Sequence, residues 1–241
     1  MSGLNNAFLQ PLALVNTAME SITREWRNRV RAEYKSAATT AQVVHWMIQV
    51  GAPEALLHVA LRIVRDELDH AKLSHEALLV LGGEARPTGF EAADLALSPS
   101  DDGILASLLD VIVQCFCLGE TFAVPLFSEM RQKASHPAVL PMLTRVLQDE
   151  AVHRAFGWNT LDYLLELEPA GVRQRISQRL PQWIGEYQSA YAHSPDHREL
   201  TAQERAAGLL CGAEYARIFH ETVRHTVGPW FQQRQIQLVE F

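Results

Sequence analysis

Thiols are scarce in this 241-residue chain: only Cys115, Cys117 and Cys211 occur, with no C-x-x-C among them. Three cysteines cannot build a disulfide framework, nor, by themselves, a zinc ribbon or rubredoxin-like site. Basic residues are outnumbered too, 21 Lys and Arg against 28 Asp and Glu, for a net charge of −7. Phosphate backbones attract basic surfaces, so nucleic acid is not an expected partner. No uninterrupted apolar run reaches the roughly 18 residues of a membrane span, so no membrane is expected either. The opening residues, Met1-Ser2-Gly3-Leu4-Asn5-Asn6, lack the basic stretch of a secretory signal. A cytoplasmic location is the expectation. Convincing period-two alternation is missing, which argues against strands. Flavin and nicotinamide motifs are missing as well, so electrons for any redox step must come from an external donor.

What the chain does have is helical pattern. Residues 1–20 form a weakly patterned N-terminal segment ending near Pro11. From about Ser21 to Gln49, Trp26, Val30, Ala37, Ala41, Val44 and Ile48 recur at helical spacing. Gly51-Ala52-Pro53 then reads as a stop and a restart. A second helix runs to Leu81 and ends at Gly82-Gly83. A connection of about 19 residues follows, long enough to run back along a bundle. A third helix is expected from about Asp102, capped by Ser100 or Asp101, to Lys133. The turn Ala134-Ser135-His136-Pro137 leads to a fourth, ending near Glu168. Two more helices, about Gly171–Tyr191 with a bend at Pro181 and Thr201–Val227, make 169–241 a helical extension of the same domain. Trp230 and Phe231 equip the tail to dock on the body or on a second copy in a homodimer.

Two stretches carry the chemistry: Asp66-Glu67-Leu68-Asp69-His70 and Asp149-Glu150-Ala151-Val152-His153. Each offers a carboxylate and an imidazole from one helix face, three residues apart. Such pairs arise easily by chance, so their placement matters more than their count. In an antiparallel hairpin, residues at one height mirror each other about the turn. Reflected through residue 50, Glu67 falls on Glu33; reflected through Ser135, Glu150 falls on Glu120. Both hairpins thus read Glu, turn, Asp-Glu-x-x-His. Four clustered carboxylates need compensating charge, which two cations supply, and carboxylate with imidazole suits iron or manganese.

This pattern, over about residues 21–168, resembles the ferritin-like superfamily of carboxylate-bridged dimetal proteins, built as four-helix bundles with a long crossover. The resemblance implies an all-α fold and two metal ions: iron, or alternatively manganese or mixed manganese and iron. It implies Glu33, Glu67 and His70 on one side and Glu120, Glu150 and His153 on the other, with Glu67 and Glu150 bridging. Asp66 and Asp149 look like the Asp that, in bacterial multicomponent monooxygenases, sits behind a ligand imidazole and sets its tautomer. The pattern D-E-x-R-H of those enzymes is not kept, because Asp69 and Val152 stand at the Arg position. The implied activity is an oxygen-dependent oxidoreductase acting on a small organic substrate. Alternatives are a ferroxidase, a peroxidase, a manganese catalase or, in another class, a metal-free helical interaction module.

Around the third helix, Gly119 and Pro125 both disfavour regular helix, and Pro125 cannot donate to the carbonyl of Thr121. A kink or π-bulge beside Glu120 is expected. It either lets Glu120 change binding mode or merely fits packing. Cys117, Ala123, Val124 and Gly157 are candidates for a small apolar pocket, or are simply core. Tyr34 adjoins Glu33 but points about 100° away on a helix. His45, His58 and His75 lie off the Glu levels. Glu214, His220, Glu221 and His225 form a further acid–His group, with a solvated face as its plainer reading.

Overall fold

The computed structural model describes residues 9–84, 89–91, 95, 97–192 and 198–236, with the backbone alone for 9–17. All regular elements among them are helical. Helix α1 spans Leu9–Gln49, α2 Glu54–Val80, α3 Ile104–Lys133, α4 Leu140–Leu167 and α5 Pro169–Tyr191. The short α6, Ala202–Ala206, precedes α7, Gly212–Thr222; a π turn, Val223–Val227, joins α7 to α8, Gly228–Gln233.

Both helices of the first hairpin stop at a glycine with left-handed backbone, Gly51 (φ 69°) and Gly82 (φ 83°). The amides that follow bond back to the last turn, Ala52 to the Met47 carbonyl at 2.9 Å and Gly83 to that of Leu78 at 2.8 Å. These carbonyls would otherwise lack partners, and glycine enters this conformation without a Cβ penalty. The sharp stops fix the register of α1 against α2, and with it the height of Glu33 against Glu67.

The inward stripe of α1 is Ile22, Trp26, Val30, Ala37, Thr40, Val43, Val44 and Met47. Ala41 and Ile48 are exposed, correcting the expected stripe: Thr40, Val43 and Met47 hold the inward positions there. Helix α1 also starts earlier than its pattern suggests. Pro11 sits in its first turn, where a missing N–H costs nothing. Residues 1–8 of the expected N-terminal segment lie outside the described residues.

Helix α3 has a mean hydropathy of 1.7 and is long and apolar enough by composition to cross a membrane. In this fold it is a core helix of the bundle, contributing Leu108, Ile112, Phe116, Leu118 and Phe122 to the interior. Its N-terminus is Gly103, without a side-chain cap; Ser100 instead donates its amide to Ser107 Oγ at 2.8 Å. The middle of α3, Ile112–Glu120, is wound as π-helix, and regular α-helix resumes at Thr121 with Pro125 inside it. The expected irregularity beside Glu120 is therefore present.

One hydrophobic cluster runs from Ile22 through Trp183 to Ile236, so the C-terminal helices pack into the same core as the bundle. The expected single helix over Thr201–Val227 is broken between α6 and α7. There Gly208 (φ 83°) turns the chain, Ala207 carbonyl accepts from buried Trp26 Nε1 at 3.0 Å, and Ala206 carbonyl accepts from the amides of Ser135 and His136. Tertiary hydrogen bonds thus outweigh helix propensity in an Ala-rich segment. Gly228-Pro229 does not end the last helical stretch, because the π turn before it leaves Pro229 in the first turn of α8. The tail docks on its own body: Phe231 is fully buried, Trp230 meets Trp158 edge-on, and Arg234 holds Asp162 through two bonds of 2.6 and 2.8 Å.

Candidate metal centre

Glu33, Glu67, His70, Glu150 and His153 are buried, and Glu120 is partly exposed. They come from four helices, α1 to α4. The ligand atoms of Glu33, Glu67 and His70 lie within 4.8 Å of one another, and so do those of Glu67, Glu120 and His153. Glu67 belongs to both groups. Its Oε2 is 3.5 Å from His70 Nδ1, and its Oε1 is 3.5 Å from His153 Nδ1. Glu33 Oε2 is 3.8 Å from His70 Nδ1, and Glu150 Oε2 is 3.7 Å from His153 Nδ1. All six residues expected from the spacing thus meet in one place.

The electrostatics are those of a cage built for positive charge. Burial, and then the neighbouring Glu67, push the Glu33 carboxyl well above the usual carboxylate range. Burial and Glu120 do the same to Glu150. Burial raises Glu120 to about 7, with the Glu67 charge adding to the shift and contact with Glu150 opposing it. At Glu67, burial opposes ionisation, but hydrogen bonds from His70 and Glu33 prevail and hold it low. Several donor atoms have no hydrogen-bond partner: His70 Nδ1, His153 Nδ1 and Glu150 Oε2. Leaving a buried polar atom unpaired costs on the order of 1–3 kcal/mol. Here the unpaired atoms are imidazole nitrogens and a carboxylate oxygen in one cluster, a donor set suited to a divalent cation. Buried Glu and His groups here can hold a metal ion.

Behind the imidazoles the wiring is crossed. His70 on α2 meets Asp149 on α4, Nε2 to Oδ2 at 3.1 Å. His153 on α4 faces Asp66 on α2, with Nε2 and Oδ2 3.5 Å apart. Each Asp therefore backs the histidine of the opposite hairpin. A proton on Nε2, held toward the Asp, leaves the Nδ1 lone pair facing the Glu cluster. Two arginines escaped the reading of the sequence. Arg145 binds Asp149 and reaches Asp66 at 3.3 Å; Arg62 binds Asp66 at 3.3 Å and lies 3.6 Å from Asp149. Their signal was available: each stands four residues before its Asp, so both helices read Arg-x-x-x-Asp-Glu-x-x-His. These arginines stand in for the Arg missing beside each His. Ser36 was missed as well; its hydroxyl donates to Glu67 Oε1 at 2.7 Å.

The pocket residues separate. Cys117 is fully buried among core side chains, and burial raises its thiol. A Cβ at Gly157 would lie 2.6 Å from Phe116 Cβ and 2.9 Å from Cys117 N, so this glycine lets α4 touch α3 rather than opening space. Val124 lines an outer groove with Pro125, Arg154 and His225. Ala123 is half-buried. Tyr34 stacks edge-on against Phe90. His45 and His58 pair with Gln49 and Glu54 on their own helices, and His75 with the Glu84 carbonyl. Glu214 is a helix cap, accepting from the Cys211 amide and from Lys133 and Arg205. Glu221 pairs with Arg217.

No protein-family model, no curated protein and no solved structure matches this chain.

Proposed function

We propose that the chain is a ferritin-like dimetal carboxylate protein, and that it is an oxidoreductase using dioxygen to oxidise a small organic substrate. The observation that carries this reading is Glu67 between two imidazoles whose Nδ1 atoms lack any other partner, inside a ring of four carboxylates. Glu33, Glu67 and His70 would hold one ion, and Glu67, Glu120, Glu150 and His153 the other. Iron so held supplies the redox chemistry of dioxygen; manganese is the alternative.

The protein's own part follows from its residues. Glu67 links the two half-sites. Asp149 and Asp66 hold the histidine tautomers, and Arg145 and Arg62 keep those aspartates ionised. The widened turns ending at Glu120 leave that ligand at the edge of the buried cluster. The cluster is otherwise walled by Ile63, Val146, Phe116 and Phe156, which exclude water. No electron-carrying motif accompanies the site, so reducing equivalents come from a separate donor.

Elemental analysis tests the reading first. Two ions per chain are expected, and Glu67→Ala and Glu150→Ala should each abolish the full complement. A folded chain that cannot take up two ions of iron or manganese would refute it and favour a metal-free interaction module. Oxygen uptake by the ferrous-loaded chain with a reductant is the second step.

A further inference from the structure

One buried charge lies beside the centre and is poorly compensated. Arg29 stands one helical turn before Glu33 and is 7% exposed. Its Nη2 donates to Glu25 Oε1 at 3.0 Å and touches Met130 Sδ at 3.0 Å. Glu25 is itself 31% exposed, and a thioether is a weak acceptor. The Nε of Arg29 is buried with no partner. Two other arginines share that feature, Arg27 and Arg179, but their side chains are 33% and 40% exposed. A buried guanidinium with an unused donor costs several kcal/mol unless something anionic meets it.

The surroundings look like the polar end of a binding site. Trp26 and Phe127 flank the guanidinium, with ring centroids at 5.2 and 5.4 Å. Tyr191 and Tyr215 stack at 5.8 Å, and their hydroxyls have no hydrogen bond among the described residues. Both feel the charges of Glu25 and Arg29, and Tyr191 also that of Glu120, so they lie on the same side of the bundle as the metal ligands. A cavity of about 120 Å³ lined by Glu25, Arg24, Leu210 and Tyr215 adjoins this cluster. Glu120, Ala123 and Phe127 follow each other along one face of α3, spanning about 10 Å.

Resting on the dimetal reading, we infer that Arg29 anchors the carboxylate of the substrate, flanked by the Tyr191 and Tyr215 hydroxyls, and that the apolar body of the substrate lies along Phe127 and Ala123 toward Glu120. The substrate class is then a small carboxylic acid, aromatic or short-chain, whose oxidised end lies about 6–10 Å from its carboxylate. Guanidinium edges match carboxylate geometry, and the anion would displace Glu25 from Arg29.

Calorimetric titration of the metal-loaded chain, and of the same chain after chelation, tests this with three probes: benzoate, benzamide and inorganic phosphate. Benzoate should bind in both forms, at least tenfold more tightly than benzamide. Arg29→Gln should weaken benzoate at least tenfold while leaving benzamide and metal stoichiometry unchanged, and Arg29→Lys should recover part of the loss. Should Arg29→Gln fold poorly, Tyr191→Phe and Tyr215→Phe remain, each expected to weaken benzoate a few-fold. Equal binding of benzoate and benzamide overturns the anchor, as does benzoate binding that needs the metals and ignores Arg29. Binding of phosphate in preference to benzoate overturns the carboxylate assignment. A chain that holds two ions but fails these tests leaves the dimetal reading standing; one that passes them after chelation but never takes up metal removes that reading alone.

Discussion

Removing metal should reverse the way stability depends on pH. In the metal-free chain, folding holds protons on carboxyls that would release them when unfolded. Glu120 titrates at about 7 when folded, against 4.5 for an ordinary Glu. Between those values the folded state binds more protons than the unfolded, so stability falls as pH rises. That contribution is complete below about pH 4.5 and is lost as pH passes 7. For Glu120 alone it amounts to about 3 kcal/mol. Glu33 and Glu150, both raised, act in the same direction, as does His70, raised by Glu67 and Asp149 in spite of burial. His153, lowered by burial, opposes them below its ordinary value of 6.5. Glu67, Glu204 and Glu214 are lowered, so their contributions are already in place above pH 5. At about 2–4 °C per kcal/mol for a domain of this size, the Tm of the chelated chain should drop by about 6–12 °C between pH 5 and 8. Metal ligands must be deprotonated to bind, so the loaded chain should gain stability over the same range. Differential scanning calorimetry with chelator and with excess Mn(II) gives both slopes. A chelated chain whose Tm is flat or rises from pH 5 to 8 would show that these carboxylates are not crowded together as described.

Arg145→Met should lower metal affinity about 10–100-fold by releasing Asp149 from its ion pair, and Arg145→Lys should restore part of it. Competition against a chromogenic chelator reads this directly, and unchanged affinity would remove Arg145 from the support of the site. Gly157→Ala should destabilise the chain by about 1–3 kcal/mol, because its methyl group meets Phe116 and Cys117 backbone. In open space the same change would stabilise a helix by up to about 1 kcal/mol, so the sign seen in urea denaturation is decisive.

Much of the bundle was legible because glycine and proline mark its turns. Gly51-Ala52-Pro53 and Gly82-Gly83 bracket α2 to within two residues, and reflection through the turns brought Glu33 and Glu120 to the level of their partners. Helical periodicity, however, fixes height better than azimuth. That is why Leu68, read as flanking core, turns out 47% exposed, and why the crossed pairing of Asp66 and Asp149 could not be foreseen. The pairing depends on how α2 and α4 face each other, which no single helix encodes. The break after α6 was hidden for a different reason: Ala206 and Ala207 are good helix formers, and only contacts from Trp26 and Ser135, far away in sequence, draw their carbonyls elsewhere.

The crossed wiring also bears on how such a chain acquires its metal during synthesis. A nascent chain that has emerged only as far as α2 already carries Glu33, Glu67 and His70. It has no Asp149 to orient His70 and no Glu120 or His153 to complete the second half-site. Early capture of the wrong ion by the first hairpin is thus poorly supported, since the partner that aligns its imidazole is made some eighty residues later. Selection of the metal is deferred until α4 has been made and packed against α2.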